Sequence, residues 1–164
     1  MEDLDLDEEL INNTGEQYFL FLSNNDLYAL PVLIVREIVE YQDVTKVPKL
    51  NSFIKGVTNI RGNIVAVIDL LDRFNLGETK IQDRTSFAIV QLSSNGKIHD
   101  IAIMIDEIYE VDGLDENSIC ETPLFGTKID ANFIKSVAKY NRKEVCILDH
   151  EEILKISELS VIKE

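Results

Sequence analysis

Residues 53–69, FIKGVTNIRGNIVAVID, constrain this chain more than any other stretch, because they form a complete structural unit and the template for a second one. Residues 56–60 and 64–69 are rich in the apolar and β-branched residues of half-buried strands, and the dipeptide Arg61-Gly62 between them predicts a β-hairpin. Gly62 supplies the positive φ that a type II turn needs at its third position, which carries the Arg61 side chain out at the hairpin tip. Shifting the sequence by 80 residues lays residues 133–149, FIKSVAKYNRKEVCILD, over this unit without a gap. Phe53, Ile54, Lys55, Val57, Val65 and Asp69 then meet identical residues in Phe133, Ile134, Lys135, Val137, Val145 and Asp149. Identities at apolar and turn-flanking positions are those a shared fold retains, so the chain reads as two copies of one supersecondary unit.

Each copy ends in an Asp followed by helix formers, Asp69 before LLDRF and Asp149 before HEEILK. An Asp at the N-cap accepts hydrogen bonds from the free N–H groups of a first helical turn, and Asp72 and Glu152, three residues on, sit where the helix dipole favours an acid. The repeated Asp residues would also suit acid/base work, but a cap accounts for both copies at once.

The remaining pattern is β-rich. QYFLFLS, the turn residues NND and LYALPV predict one hairpin from Gln17 onward; SFAIVQL, SSNGK and HDIAIMI predict its counterpart in the second half, with Glu107-Ile108 echoing Glu37-Ile38. Further strands are expected at 38–41, 44–47 and 108–111 and around Ile119, with breaks at Pro48, Asp112-Gly113 and Pro123. Five short strands and one short helix per half suit a small closed barrel, which removes the exposed edges of an open sheet. The expected fold is therefore mainly all-β: two tandem five-stranded barrels sharing a core, with short helices. The first barrel is placed at about 16–75, the second at about 85–150 and a short helix at about 150–156. The polar stretch 75–84, NLGETKIQDR, connects the barrels, and residues 1–15 are expected to be a flexible acidic arm.

Charge narrows the partners. The net charge is −14, and residues 1–9 hold six acids and no base, so nucleic acid and anionic membrane surfaces are repelled. No apolar run approaches the roughly 20 residues that span a bilayer, and the acidic start is the opposite of a signal peptide, which points to the cytoplasm. Cys120 and Cys146 lack a CxxC spacing and read as buried, reduced thiols; with His99 and His150 they form no zinc-ligand pattern. No Walker loop, GxGxxG or nucleophile elbow is present, so neither a cofactor nor catalysis is expected. Arg61 is the best binding candidate, since its planar fork can hold a partner's carboxylate bidentately and Arg is enriched at interface hot spots.

The run GVTNIRGNIVAVIDL, preceded by VREI some twenty residues earlier and followed by a degenerate second copy, resembles the CheW family of chemotaxis coupling proteins from about Gln17 to Leu154. The resemblance implies a non-catalytic adaptor of two SH3-like barrels, working in the cytoplasm at the inner face of the membrane through receptor arrays. It implies two partners: the cytoplasmic tip of methyl-accepting chemoreceptors and the regulatory domain of the histidine kinase CheA. Matching positions carry the family's receptor-coupling roles to Val35, Glu37, Gly56, Asn59 and Arg61, and an influence on kinase binding to Gly62. All but Asn59 also have a plainer reading: Val35 as core, Glu37 as an exposed acid, Arg61 as a solvated charge at a hairpin tip, Gly56 and Gly62 as backbone requirements. In the second copy Ser136 stands near an expected glycine and Asn141-Arg142 replaces Arg-Gly, so no contacts are assigned there. Other uses of the module are a CheV-type protein or a kinase regulatory region, which a receiver or ATP-binding domain would mark; a small barrel binding a ligand would need a pocket of converging titratable groups.

Overall fold

The computed structural model describes residues 16–94, 96–120 and 128–155. The acidic arm, the break at Pro123 and the last residue of the helix expected to reach 156 lie outside them. Ten strands follow in order: β1 (Gln17–Ser23), β2 (Asp26–Pro31), β3 (Val35–Glu40), β4 (Ile54–Ile60), β5 (Asn63–Asp69), β6 (Ser86–Ser94), β7 (Lys97–Ile105), β8 (Glu107–Gly113), β9 (Ile134–Tyr140) and β10 (Lys143–Leu148). Helical turns at Leu70–Arg73 and His150–Ile153 follow β5 and β10, and a 3-10 turn at Val32–Ile34 joins β2 to β3. The strands expected at 44–47 and near Ile119 reduce to single bridges, Thr45 to Val57 and Cys120 to Val137. These two bridges end on the repeat mates Val57 and Val137 and bring the chain after β3 or β8 across to β4 or β9, closing each barrel.

The β4–β5 hairpin corrects the expected turn type. Arg61 and Gly62 both have positive φ, 54° and 87°, as do Asn24 and Asn25 in the β1–β2 turn and Asn141 and Arg142 in the β9–β10 turn. Two positive values define a type I′ turn, whose twist matches that of the flanking strands where a type II turn would splay them. Holding Arg61 left-handed costs roughly 1 kcal/mol. The Asn59 side chain offsets part of that cost, because its Oδ1 accepts the Gly62 N–H at 2.8 Å.

Sheet membership does not follow the two halves of the sequence. One sheet has the order β3-β6-β7-β5-β4 and the other β8-β1-β2-β10-β9. Each takes the last three strands of one copy and the first hairpin of the other, so barrels at about 16–75 and 85–150 are replaced by an exchanged arrangement. The reason is connection length. Had β3 packed beside β1 in its own copy, β2 and β3 would flank β1 and run parallel, which needs a crossover of about a dozen residues. Only Val32–Ile34 separates them, and only Asp106 separates β7 from β8, so the chain passes into the other sheet instead. The sheet of β3 to β7 is thus continuous in sequence, residues 35–105, while the other is split between both ends of the chain.

The core has three parts. Between the sheets, Phe19, Phe21, Tyr28 and Leu30 pack with Ile68, Val90, Ile101 and Ile103. The split sheet encloses Leu20, Ala29, Val145 and Ile147, and the continuous sheet encloses Val67, Phe87, Ile89 and Ala102. Alternate residues of β1 therefore enter different cores, which explains its unbroken apolar run: both faces are covered.

Both helical turns are capped as their sequences imply. Asp69, 1% exposed, accepts from the Leu71 N–H at 3.1 Å and also from the Thr79 N–H at 2.8 Å and hydroxyl at 2.7 Å, tying the connector to the turn. Asp149 accepts from the Glu152 N–H at 3.2 Å. Arg73 joins the two copies: its guanidinium lies 4.5 and 4.8 Å from the ring centroids of the repeat mates Phe53 and Phe133, and it donates to the carbonyls of Ile153 and Glu152.

The expectation for the cysteines needs correction. Cys120 is exposed, its backbone bridging to Val137 and its thiol donating to the Ser118 carbonyl at 3.7 Å; Cys146 is half-buried, and burial pushes its thiol pKa up. A thiol reagent such as DTNB should modify Cys120 at least about tenfold faster than Cys146, since the thiolate is the reacting form. Equal rates in the folded protein would contradict this placement.

Candidate functional site

Residues 35–62 contain all six sequence-selected site residues: Val35, Glu37, Gly56 and Asn59 lie in β3 and β4 of the continuous sheet, and Arg61 and Gly62 form the β4–β5 turn. β3 pairs with β6 through an irregularity between Val35 and Glu37, and the β4–β5 tip lies close to Glu37. Glu37 and Arg61, selected separately, meet there. Arg61 Nε donates to Glu37 Oε1 at 3.2 Å and Oε2 at 3.1 Å, and Nη2 donates to Oε2 at 2.8 Å. The Arg61 side chain is 74% exposed and that of Glu37 22%, so the acid anchors an arginine that remains open to a partner.

The other four residues shape this surface. Asn59 accepts from the Gly62 N–H, as above. Gly62 has nothing within 4 Å of where a Cβ would stand, so the tip is bare backbone. Val35 is half-buried and packs against the core between the sheets. Gly56 has φ 144°, and a Cβ there would lie 2.0 Å from the Thr45 carbonyl oxygen. That oxygen accepts the Val57 N–H at 2.9 Å, so Gly56 is the opening through which the barrel-closing bridge passes.

Beside the hairpin tip are residues the sequence reading missed. Arg36 Nη1 and Asp100 Oδ2 form an ion pair at 2.6 Å between β3 and β7. Ile64 and Ile98 are 66% and 69% exposed, and with Arg36, Asn63, His99 and Asp100 they line a shallow open depression next to the Arg61–Glu37 pair. No local pattern could reveal this set, because the parallel pairing of β5 with β7 brings it together. Fixed charges flanked by exposed aliphatic side chains are the ingredients of a protein-recognition surface. Among the described residues there is no group of three His, Cys, Asp or Glu side chains that could hold a metal ion. No helix of the described residues is long and apolar enough to cross a membrane.

The repeat-equivalent tip in the split sheet is built differently. Tyr140 donates to Asp112 Oδ2 at 2.9 Å, Tyr109 and Tyr140 meet edge to face, and Lys143 Nζ lies 5.0 Å from the Tyr109 ring. An aromatic cluster thus takes the place of the Arg–Glu pair, and the two tips present different chemistry.

Comparison with known proteins places this architecture. Residues 17–158 match the family model of the CheW-like domain. The chain is 31% identical over 141 residues to the chemotaxis protein CheW of Bacillus subtilis, covering 86% of this chain and 88% of that protein. It is 32% identical over 140 residues to CheW of Helicobacter pylori, covering 85% and 81%. The crystal structure of the scaffolding protein TtCheW from Thermoanaerobacter tengcongensis superposes with a TM-score of 0.76 at 31% identity, covering 85% of this chain and 88% of that one.

Proposed function

The chain belongs to the CheW family of chemotaxis scaffold proteins, and we propose from this that it couples methyl-accepting chemoreceptors to a CheA-type histidine kinase. In this reading it acts without catalysis, holding the kinase's regulatory domain and a receptor tip in fixed relation at the inner face of the membrane. Many modest contacts of this kind gain strength when repeated in an array. The observation that carries the reading is the Arg61–Glu37 pair, an exposed guanidinium held bidentately at a hairpin tip beside Ile64 and Ile98. Arg61, Glu37 and Gly62 are assigned direct partner contact. Val35, Gly56 and Asn59 act as positioning residues, through core packing, barrel closure and the turn.

Arg61→Glu tests the assignment. Two carboxylates then face each other at the tip, which should lower stability by no more than about 1 kcal/mol, because exposed pairs contribute little. Receptor binding should weaken on the order of a hundredfold, equivalent to about 3 kcal/mol, because attraction is replaced by repulsion within the interface. A folded Arg61→Glu protein that co-sediments unchanged with receptor-bearing membranes would remove Arg61 from the site. Gly62→Val is the stability control: with open space around the residue, the cost comes from its positive φ and should be about 1–2 kcal/mol.

A further inference from the structure

We propose that the two sheets are unequal partners in stability: the continuous sheet supports itself, whereas the split sheet is assembled upon it and opens first. All five strands of the continuous sheet come from residues 35–105. In the split sheet, β2 must find β10 from the other end of the chain. The corresponding parallel pairs make the comparison direct: Ala66 with Ile101 in the continuous sheet, 35 residues apart, and Ala29 with Ile147 in the split sheet, 118 apart. Loop closure weakens with the 3/2 power of chain length, which disfavours the longer closure about sixfold, and pairings of such long range form late.

The links between the sheets point the same way. The β1–β2 hairpin is joined to the continuous sheet through Val32–Ile34, and β8 through Asp106 alone. Once the continuous sheet exists, both pieces of the split sheet are held beside it, and the long closure becomes a short one. The reverse does not hold, because no piece of the continuous sheet waits on the split sheet to meet its strand partners. The shared core fastens the β1–β2 hairpin onto the continuous sheet through Phe19, Phe21, Tyr28 and Leu30, and β9 and β10 reach it through Ile134 and Leu148, whereas no residue of β8 belongs to it. Opening therefore starts at β8, the end strand with no hold on the shared core, and spreads to β9 and β10 through the split sheet's private core. A partner that grips those strands shifts an opening equilibrium, whereas one that meets the Arg61 tip finds a preformed surface.

Native-state hydrogen exchange on the full chain tests this, with one truncation in each private core: Ile147→Ala in the split sheet and Val67→Ala in the continuous sheet, both fully buried. Ile147→Ala should speed exchange in β8, β9 and β10 by about tenfold or more and leave β4 to β7 within about twofold, as a local foldon does. Val67→Ala should speed exchange in both sheets. Three results would overturn the proposal: both variants accelerating both sheets alike, Ile147→Ala reaching β4 to β7, or Val67→Ala confined to the continuous sheet. Should Ile147→Ala fail to fold, Ile147→Val removes one methyl group from the same core and is read by the same criteria.

Discussion

Gly56→Ala is expected to destabilise the protein by about 3–5 kcal/mol, among the larger effects a single substitution produces. A Cβ at this position would stand 2.0 Å from the Thr45 carbonyl oxygen and 2.7 Å from its carbonyl carbon. Both are backbone atoms, so no rotamer change relieves the clash. The oxygen cannot retreat without losing the hydrogen bond from Val57 that closes the barrel. The φ of 144° adds strain of its own, since it lies in a region that residues with a side chain rarely occupy. At about 2–4 °C per kcal/mol for a chain of this size, the melting temperature should fall by roughly 6–20 °C. Gly62→Ala is the matched comparison, with positive φ but open surroundings, and should cost about 1 kcal/mol. Equal losses for the two variants in a denaturant titration would mean that the Thr45–Val57 bridge does not constrain Gly56.

Asp69→Ala should cost about 3–4 kcal/mol and Asp149→Ala about 1 kcal/mol, although the two residues are repeat mates in the same capping position. The difference lies in what each carboxylate holds. Removing Asp69 leaves the Leu71 N–H, the Thr79 N–H and the Thr79 hydroxyl without their acceptor at a site that is almost fully buried. Asp149 caps one N–H at a half-buried position, where water can replace the lost oxygen. Asp69→Asn keeps one acceptor oxygen and should fall between the two. A loss for Asp69→Ala no greater than that for Asp149→Ala, measured by chemical denaturation, would show that the connector from Gly77 to Thr79 does not depend on this carboxylate.

What was legible in the sequence was local. The β4–β5 hairpin, the caps at Asp69 and Asp149, and the duplication each depend on residues within one unit, where spacing and side-chain chemistry decide the outcome. The turn type was misread because Gly62 alone satisfies a type II turn; strand twist, which favours a positive φ at Arg61 as well, is a property of the paired strands. Sheet membership was misplaced because strand periodicity carries no information about partners. The deciding quantity was the three-residue link at Val32–Ile34 and its one-residue counterpart at Asp106, present in the sequence but meaningful only once the strand order is known. The pairing of Glu37 with Arg61, 24 residues apart, depends on the placement of β3 and the β4–β5 tip in one sheet, and the Arg36–Asp100 pair depends on that same sheet. Cys120 was grouped with Cys146 as a buried thiol, whereas it is exposed beside an isolated bridge and its thiol reaches only the Ser118 carbonyl.

Bridging itself can be measured by sedimenting receptor-bearing membranes with a CheA-type kinase, in the presence and absence of the purified protein. The kinase should pellet with the membranes in proportion to the wild-type protein added, and should remain in the supernatant when a folded Arg61→Glu protein is added in its place. A kinase that pellets equally well without the protein, or that stays in the supernatant at saturating wild-type protein, would contradict the proposal that this chain couples receptor to kinase.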